Sequence, residues 1–232
     1  MSVRRRFYKT VEVTSGLGIA LDGKPVKTPG KAALVLPNKN LAGAVAAEWE
    51  AQAETIKPSS MPLTKLANTA IDRVGPERTR ILAEIVEYAG SDLVCYRAAE
   101  PPGLVQRHAT LWDPIVDWAR TELEAPFETI VGIRHRPQPS LALERTGEAF
   151  AACDDFTLAG LHNIMTLSGS ALIALMLAWQ QLSAAKAWAA AHADEDYQIA
   201  QWGQDEEAAE RRQRRHAELT ACCRFIELCR AE

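Results

Sequence analysis

The sequence predicts an α+β protein: a small N-terminal β-rich domain with one or two helices, residues 1–76, followed by a larger all-α domain, residues 77–232. Two observations carry this. Before Pro37, apolar residues alternate with polar ones between turn pairs; after it they recur at three- and four-residue spacing. These are the periods of a half-buried strand and of an amphipathic helix. Gly75-Pro76 then closes the second helical pattern, and a glycine–proline pair is a strong local stop.

Residues 7–36 read as β structure. Phe7-Tyr8-Lys9 is strand-like, Tyr8, Val11 and Val13 lie in one run, and Ile19 and Leu21 alternate before Asp22-Gly23. Asp-Gly between such runs signals a two-residue hairpin, because both turn positions need positive φ. Val26 leads to Pro29-Gly30, and residues 33–36 form a further strand ending at Pro37. Asn38 or Asn40 caps a helix with Leu41, Val45, Trp49 and Gln52 on one side, so Trp49 is expected to be buried where that helix meets the sheet. Pro62 sits in the first turn of a second helix running through Leu63, Leu66, Ala67, Ile71 and Val74.

In the second domain a helix over residues 78–89 carries Ile81, Leu82, Ile85 and Val86, with Gly90 as its C-terminal cap. A helix around 104–124 holds Leu111, Trp112, Ile115, Val116, Trp118 and Leu123. Pro114 within it predicts a start or a kink, since proline removes an internal hydrogen bond. Residues 127–133 are the one late strand candidate, and Asp154 or Asp155 caps the next helix. No charged residue occurs from Phe156 to Ala185, and about 20 apolar residues would suffice to span a membrane. Yet this stretch holds Asn163, Thr166, Ser168, Ser170, Gln180 and Gln181, and only residues 171–179 are strongly apolar. Two buried helices broken near Ser168-Gly169 are predicted instead, followed by an alanine-rich helix with Trp188 over 183–192.

Composition narrows the function classes. The hydrophobic share of 47% and charged share of 24% are those of an ordinary globular chain. A net charge of −4 and a pI near 5.8 argue against nucleic acid as the main partner. Cys95, Cys153, Cys222, Cys223 and Cys229 are odd in number and follow neither disulfide nor zinc spacing. Reduced, buried thiols in a cytoplasmic protein are expected. The N-terminal arginines are not followed by an apolar run, so no secretory signal is read, and Phe7-Tyr8-Lys9 leaves little room for a transit segment. Gly16-Leu17-Gly18 lacks the third glycine of a dinucleotide site, and no phosphate-cradling loop follows. His108, His135, His162, His192 and His216 show no helical metal-ligand spacing. Neither a cofactor nor a metal is expected. Cys95 reads as a buried structural thiol; as a nucleophile it would support the alternative of a thiol-dependent enzyme.

Residues 202–216 are the most distinctive tract. A Trp202-Gly203 break precedes a helix whose first turn holds Asp205, Glu206 and Glu207 and whose next turns hold Arg211, Arg212, Arg214 and Arg215. Carboxylates there face the positive end of the helix dipole. Glu207 with Arg211 and Glu210 with Arg214 stand at the i, i+4 spacing in the favoured order. Past His216, Leu219, Cys222, Cys223, Ile226 and Cys229 form a stripe that should face a core. The charged half lies in water or against a partner; the arginines could also meet phosphate groups.

Taken together, several motifs resemble one family. They are Arg6-Phe7-Tyr8-Lys9, residues 21–29 (LDGKPVKTP), Glu48-Trp49 with Gln52, and Met61-Pro62-Leu63-Thr64 with Asn68-Thr69. They continue in residues 92–97, in Trp112-Asp113-Pro114-Ile115 with Trp118, and in Tyr197-Gln198 with Trp202-Gly203. In this order they resemble the assembly chaperones for the alpha subunit of the F-type ATP synthase, least over residues 126–155. The resemblance implies an ATP-independent binding protein, not an enzyme. Such proteins hold the unassembled alpha subunit, shield its nucleotide-site interface and yield it to the beta subunit. The family's critical acid falls in the tract after Trp-Gly, where Glu207 is the best positional match and Glu206 its neighbour. Asp205, Trp202 and Arg211 complete the expected partner-binding set. A monomeric, cytoplasmic, bacterial member is implied.

Overall fold

The structure is a computed structural model that describes residues 4–132 and 134–230. These form two compact units. One holds the residues up to Arg78 with Asp154–Gly160 and the chain from Arg224 on; the other holds Thr79–Cys153 and Leu161–Cys223.

In the first unit, β1 (Arg4–Arg5) pairs antiparallel with β5 (Thr55–Ile56), and β2 (Val11–Val13), β3 (Ile19–Leu21) and β4 (Lys24–Pro25) form an antiparallel sheet in that order. Val11 faces Leu21 and Val13 faces Ile19. The β3–β4 turn is the Asp22-Gly23 pair, with φ of 48° and 75°, the double positive φ that its composition predicts. Residues 33–36 fall short of the expected strand. They make isolated bridges, Gly18 to Val35 and Lys27 to Ala33, and backbone hydrogen bonds with Leu17, Ile19 and Val26, without the continuous pairing of a strand. Phe7-Tyr8-Lys9 also stays outside the strands. There the buried Tyr8 ring is anchored by its hydroxyl, which donates to the Trp49 carbonyl at 2.7 Å.

The first helix, α1 (Lys39–Glu50), starts at Asn38, whose Oδ1 accepts from the Leu41 N–H at 2.9 Å. The Asn38 amide donates in turn to the carbonyls of Leu228 and Cys229 at 2.8 and 3.0 Å. One side chain thus satisfies orphan groups at the start of one helix and the end of another. Leu41, Ala42 and Val45 are buried, whereas Trp49 is only half-buried, packed against Tyr8, Leu21, Ile56 and Met61. The second helix, α2 (Pro62–Thr69), opens on its proline and continues as a π-helical turn, Ala70–Val74. Its first N–H groups are met by Glu48, whose carboxylate accepts from the N–H of Leu63 and Thr64 at 2.7 and 2.8 Å and from the Thr64 hydroxyl at 2.7 Å.

From Arg78 on the chain is mainly helical. The chain runs through α3 (Arg78–Ala89), α4 (Pro102–Glu122), α5 (Ser140–Ala151), α6 (Asp155–Ser168), α7 (Ala171–Ala178), α8 (Ala184–Ala191), α9 (Ala193–Trp202) and α10 (Glu206–Arg230). It carries one small parallel pair, β6 (Tyr96–Arg97) with β7 (Ile130–Val131). The strand expected over 127–133 is therefore two residues long, and Ile133 lies outside the described residues. Pro114 neither starts nor interrupts α4. The carbonyl it orphans belongs to Thr110, which is exposed like Pro114 itself, so water can satisfy it while buried Trp112, Ile115, Val116 and Trp118 hold the helix in place.

Asp154 caps α6, accepting from the N–H of Phe156 and Thr157 at 2.9 Å each. The uncharged stretch breaks at Gly169, and in α7 the side chains from Ala171 to Met176 are all buried. A helix apolar on every side belongs in a core. No helix among the described residues is long and apolar enough to cross a membrane.

Candidate partner-binding site

The end of α9 and the start of α10 form a corner. Gly203, with φ 80° and ψ −177°, ends α9 in a conformation that only glycine adopts freely. The chain then turns through Gln204 and re-enters helix at Asp205. The Asp205 carboxylate accepts from the Ala208 N–H at 2.9 Å, and its carbonyl accepts from the Ala209 N–H at 3.0 Å. Asp205 is therefore the N-cap, and its charge is already engaged with the backbone.

The other four expected site residues are exposed. Trp202, last residue of α9, is 79% accessible, the most exposed large apolar side chain among the described residues. Glu206 and Glu207 lie in the first turn of α10, exposed and in no ion pair among the described residues. Arg211 is exposed one turn later. The expected Glu207–Arg211 pair is not formed, although Glu210 and Arg214 do meet at 3.4 Å. Exposed i, i+4 pairs contribute only about 0.3–0.5 kcal/mol, so hydration competes evenly for both partners. The corner thus places an indole and two uncommitted carboxylates close along the chain.

What holds this corner is a network that pattern reading does not separate from the exposed arginines. The Arg212 guanidinium binds Glu195 at 3.0 Å and also Asp196, and lies 5.2 Å over the Trp188 ring. Asp196 additionally accepts from Arg107 at 2.8 Å. The Arg215 guanidinium donates to the Leu167 carbonyl at 2.8 Å. Arg212, half-buried, and Arg215, still exposed, are thus engaged by the fold, whereas Arg214 pairs only within its own helix and Arg211 with no acid among the described residues. The acids of the first turn of α9, Asp194, Glu195 and Asp196, are consumed likewise. His108 accepts the Ala98 N–H at Nδ1, 3.1 Å, so its Nε2 carries the proton donated to Asp194 at 2.9 Å. Burial pushes the His108 pKa below its usual value despite Asp194. The link of Asp196 to Arg212 spans sixteen residues, and no local period reveals it.

Cys95, the candidate nucleophile, is fully buried at the end of the 3-10 turn Leu93–Cys95. Burial, and then the Asp92 carboxylate, push its thiol pKa well above the usual range, the reverse of an activated thiolate. Burial similarly takes Cys229 up to about 12. Among the described residues no cluster of three metal-ligating side chains occurs.

Many motif residues prove to be scaffold. Arg6 donates to the carbonyls of Tyr8, at 3.2 Å, and of Glu50 and Gln52, and Gln52 accepts from the Lys57 N–H at 2.7 Å. Arg97 binds Asp113 at 2.6 Å and lies 5.5 Å over Trp112. Trp202 and the acids Glu206 and Glu207 show no such scaffold contact among the described residues.

The chain is similar to proteins of known family and structure. A family model described as ATP12 chaperone protein matches residues 5–120. The crystal structure of Atp12 from Paracoccus denitrificans superposes with a TM-score of 0.91 at 39% identity, covering 98% of this chain and 99% of that one. An aspartate-to-lysine variant of the same Paracoccus protein gives the same TM-score, 0.91, and identity, 39%, with 98% of each chain covered. A protein from Agrobacterium tumefaciens superposes at 0.91 with 41% identity, over 97% of this chain and 86% of its own. This chain belongs to the ATP12 chaperone family.

Proposed function

We propose that the protein is an ATP-independent chaperone for the unassembled alpha subunit of the F-type ATP synthase, which it shields and then yields to the beta subunit. It acts in the cytoplasm as a monomer and carries out no chemistry of its own. One observation supports this most: the acids Glu206 and Glu207 stand uncommitted at a helix start beside an indole that is 79% exposed, in a chain of a chaperone family. An orphan subunit presents a large apolar face that aggregates unless covered. A projecting tryptophan is a typical energetic anchor for such a face, and carboxylates beside it steer and orient a basic partner.

The two acids differ by about 100° around the helix, so they cannot both point at one cation. Glu207 is proposed as the contact and Glu206 as its neighbour, with Arg211 and Asp205 at the edge. Breaking a desolvated charge pair from one side costs about 2–5 kcal/mol. Glu207→Lys is therefore expected to weaken capture of the alpha subunit by about 30-fold or more, while losing at most about 1 kcal/mol of helix-dipole stabilisation. Glu206→Lys should do less to capture. The test pairs thermal melting with suppression of alpha-subunit aggregation for both variants. A Glu207→Lys protein that protects as well as the parent would reduce the acidic turn to a solvated helix start.

A further inference from the structure

The N-terminal unit contains a groove of its own. It measures about 1020 Å³ and runs between the β3–β4 hairpin, Trp49 of α1, and β5 with the turn after it. Its apolar wall includes Phe7, Tyr8, Val26, Trp49, Ile56 and Pro58. Past Trp49, Ile56 and Pro58 it continues into a depression of about 730 Å³ that reaches Asn68 and Asp72. Small-molecule sites usually fall between about 300 and 1,000 Å³ and place convergent polar groups at one end. This trough is longer, apolar along its floor, and charged only at its rim.

The rim carries more basic than acidic side chains. Lys24, Lys27 and Lys57 line it, are exposed, and enter no ion pair among the described residues. The two acids on the same walls are already engaged. Asp22 accepts from the N–H groups of Lys9 and Thr10 at 3.0 and 2.8 Å. Asp72 accepts from the Thr28 hydroxyl at 2.6 Å and the Gly30 N–H at 2.8 Å. A basic rim in a chain of net charge −4 is a local inversion that favours a partner of opposite sign. Phe7, 61% exposed, stands at this wall.

The wall also holds an unmet donor and an unmet acceptor. Trp49 Nε1 and Asn68 Oδ1 are shut off from solvent without a hydrogen-bond partner. A buried polar atom left unpaired is costly. A polypeptide backbone offers the matching carbonyl and N–H, which a hydrocarbon chain does not; reaching them requires the indole or the amide to turn as the segment seats.

We propose that this groove is a docking site for an extended polypeptide segment of the unassembled client, apolar at its centre and flanked by acidic side chains. Alternate side chains would enter the trough while the flanking carboxylates meet the lysines, the usual division of labour for an extended peptide. The proposal rests on the chaperone reading above, and its test separates the two.

The probe is a fluorescein-labelled synthetic peptide with a Val-Leu-Val-Phe core and two glutamates on either side, compared by anisotropy with the same core flanked by lysines. The full-length protein is expected to bind the glutamate-flanked peptide at least about tenfold more tightly. Lys24→Glu with Lys57→Glu should invert that preference without lowering the melting temperature. Phe7→Ser, a second exposed-site variant, should weaken both peptides alike. Equal affinity for the two flanks, no binding of either, or no response to any of these variants overturns the groove proposal. The same proteins are then assayed for protection of the alpha subunit. Loss of protection by the parent protein defeats the client reading whatever the peptides do, whereas intact protection with no peptide bound defeats the groove alone.

Discussion

Asp92→Asn is expected to shift the pH dependence of stability in a defined direction. The Asp92 side chain is 0% exposed, and its two oxygens serve separate segments. Oδ1 accepts from the Val94 N–H at 3.2 Å, starting the 3-10 turn before β6, and Oδ2 accepts from the Leu172 N–H at 3.1 Å, at the start of α7. The Ser170 hydroxyl and Ala171 N–H also favour the charged form. Burial outweighs them and raises the Asp92 pKa from 3.8 to about 6. The folded state therefore holds this proton over a range in which the unfolded chain has released it. That stability is fully present below about pH 4 and is lost as pH rises through about 6. At one pKa unit per 1.36 kcal/mol, the loss between pH 4.5 and 7.5 comes to about 2 kcal/mol.

An asparagine has no such titration, but its amide nitrogen cannot accept a hydrogen bond, whereas both oxygens of the carboxyl can, protonated or not. Either amide orientation points an NH2 at Val94 or at Leu172, at a cost of about 1–3 kcal/mol. The variant should thus be clearly less stable than the parent at pH 4.5, and the gap should close by about 2 kcal/mol by pH 7.5. Urea unfolding of both proteins across that range measures it. A gap that stays constant, or widens with pH as for a carboxylate with a lowered pKa, would refute the reasoning.

Further outcomes are expected. Trp49→Arg removes a half-buried indole from the Tyr8, Leu21, Ile56 and Met61 cluster and sets a charge there, which should cost about 2–4 kcal/mol; a parental melting temperature would show that the cluster does not need it. Asp205→Ala removes only the cap of α10, about 1 kcal/mol or about 2–4 °C in melting temperature, and should leave aggregation protection near the parental level. Cys95, buried and with a raised pKa, should resist maleimide at pH 8 until the protein is unfolded. Rapid native labelling detected by mass spectrometry would reopen the thiol-enzyme alternative.

Where local rules suffice, the sequence alone defines the structure. The helix over 78–89 is α3, because its apolar spacing and Gly90 need no distant partner to be read. Asp22-Gly23 specifies its hairpin through φ alone, and Gly169 breaks the uncharged stretch as expected. The exposed corner at Trp202 and Glu206-Glu207 was legible for the same reason: an acid-rich helix start after Trp-Gly has few local explanations.

Tertiary structure decided the rest, and each case is one of distance along the chain. The pairing of β6 with β7 joins two-residue strands at 96–97 and 130–131, too short for any period to show. The helix across Pro114 persists because four large buried side chains outweigh one hydrogen bond that water replaces. Four neighbouring arginines look alike in sequence, yet Arg212 and Arg215 bind Glu195, Asp196 and the Leu167 carbonyl while Arg211 makes no ion pair among the described residues. The groove on the N-terminal unit exists only where the hairpin, α1 and β5 converge. Local sequence determines φ, caps and faces, since those depend on neighbours a few residues away. Which charges remain free to meet a partner depends on long-range pairing, and only the folded chain brings those partners together.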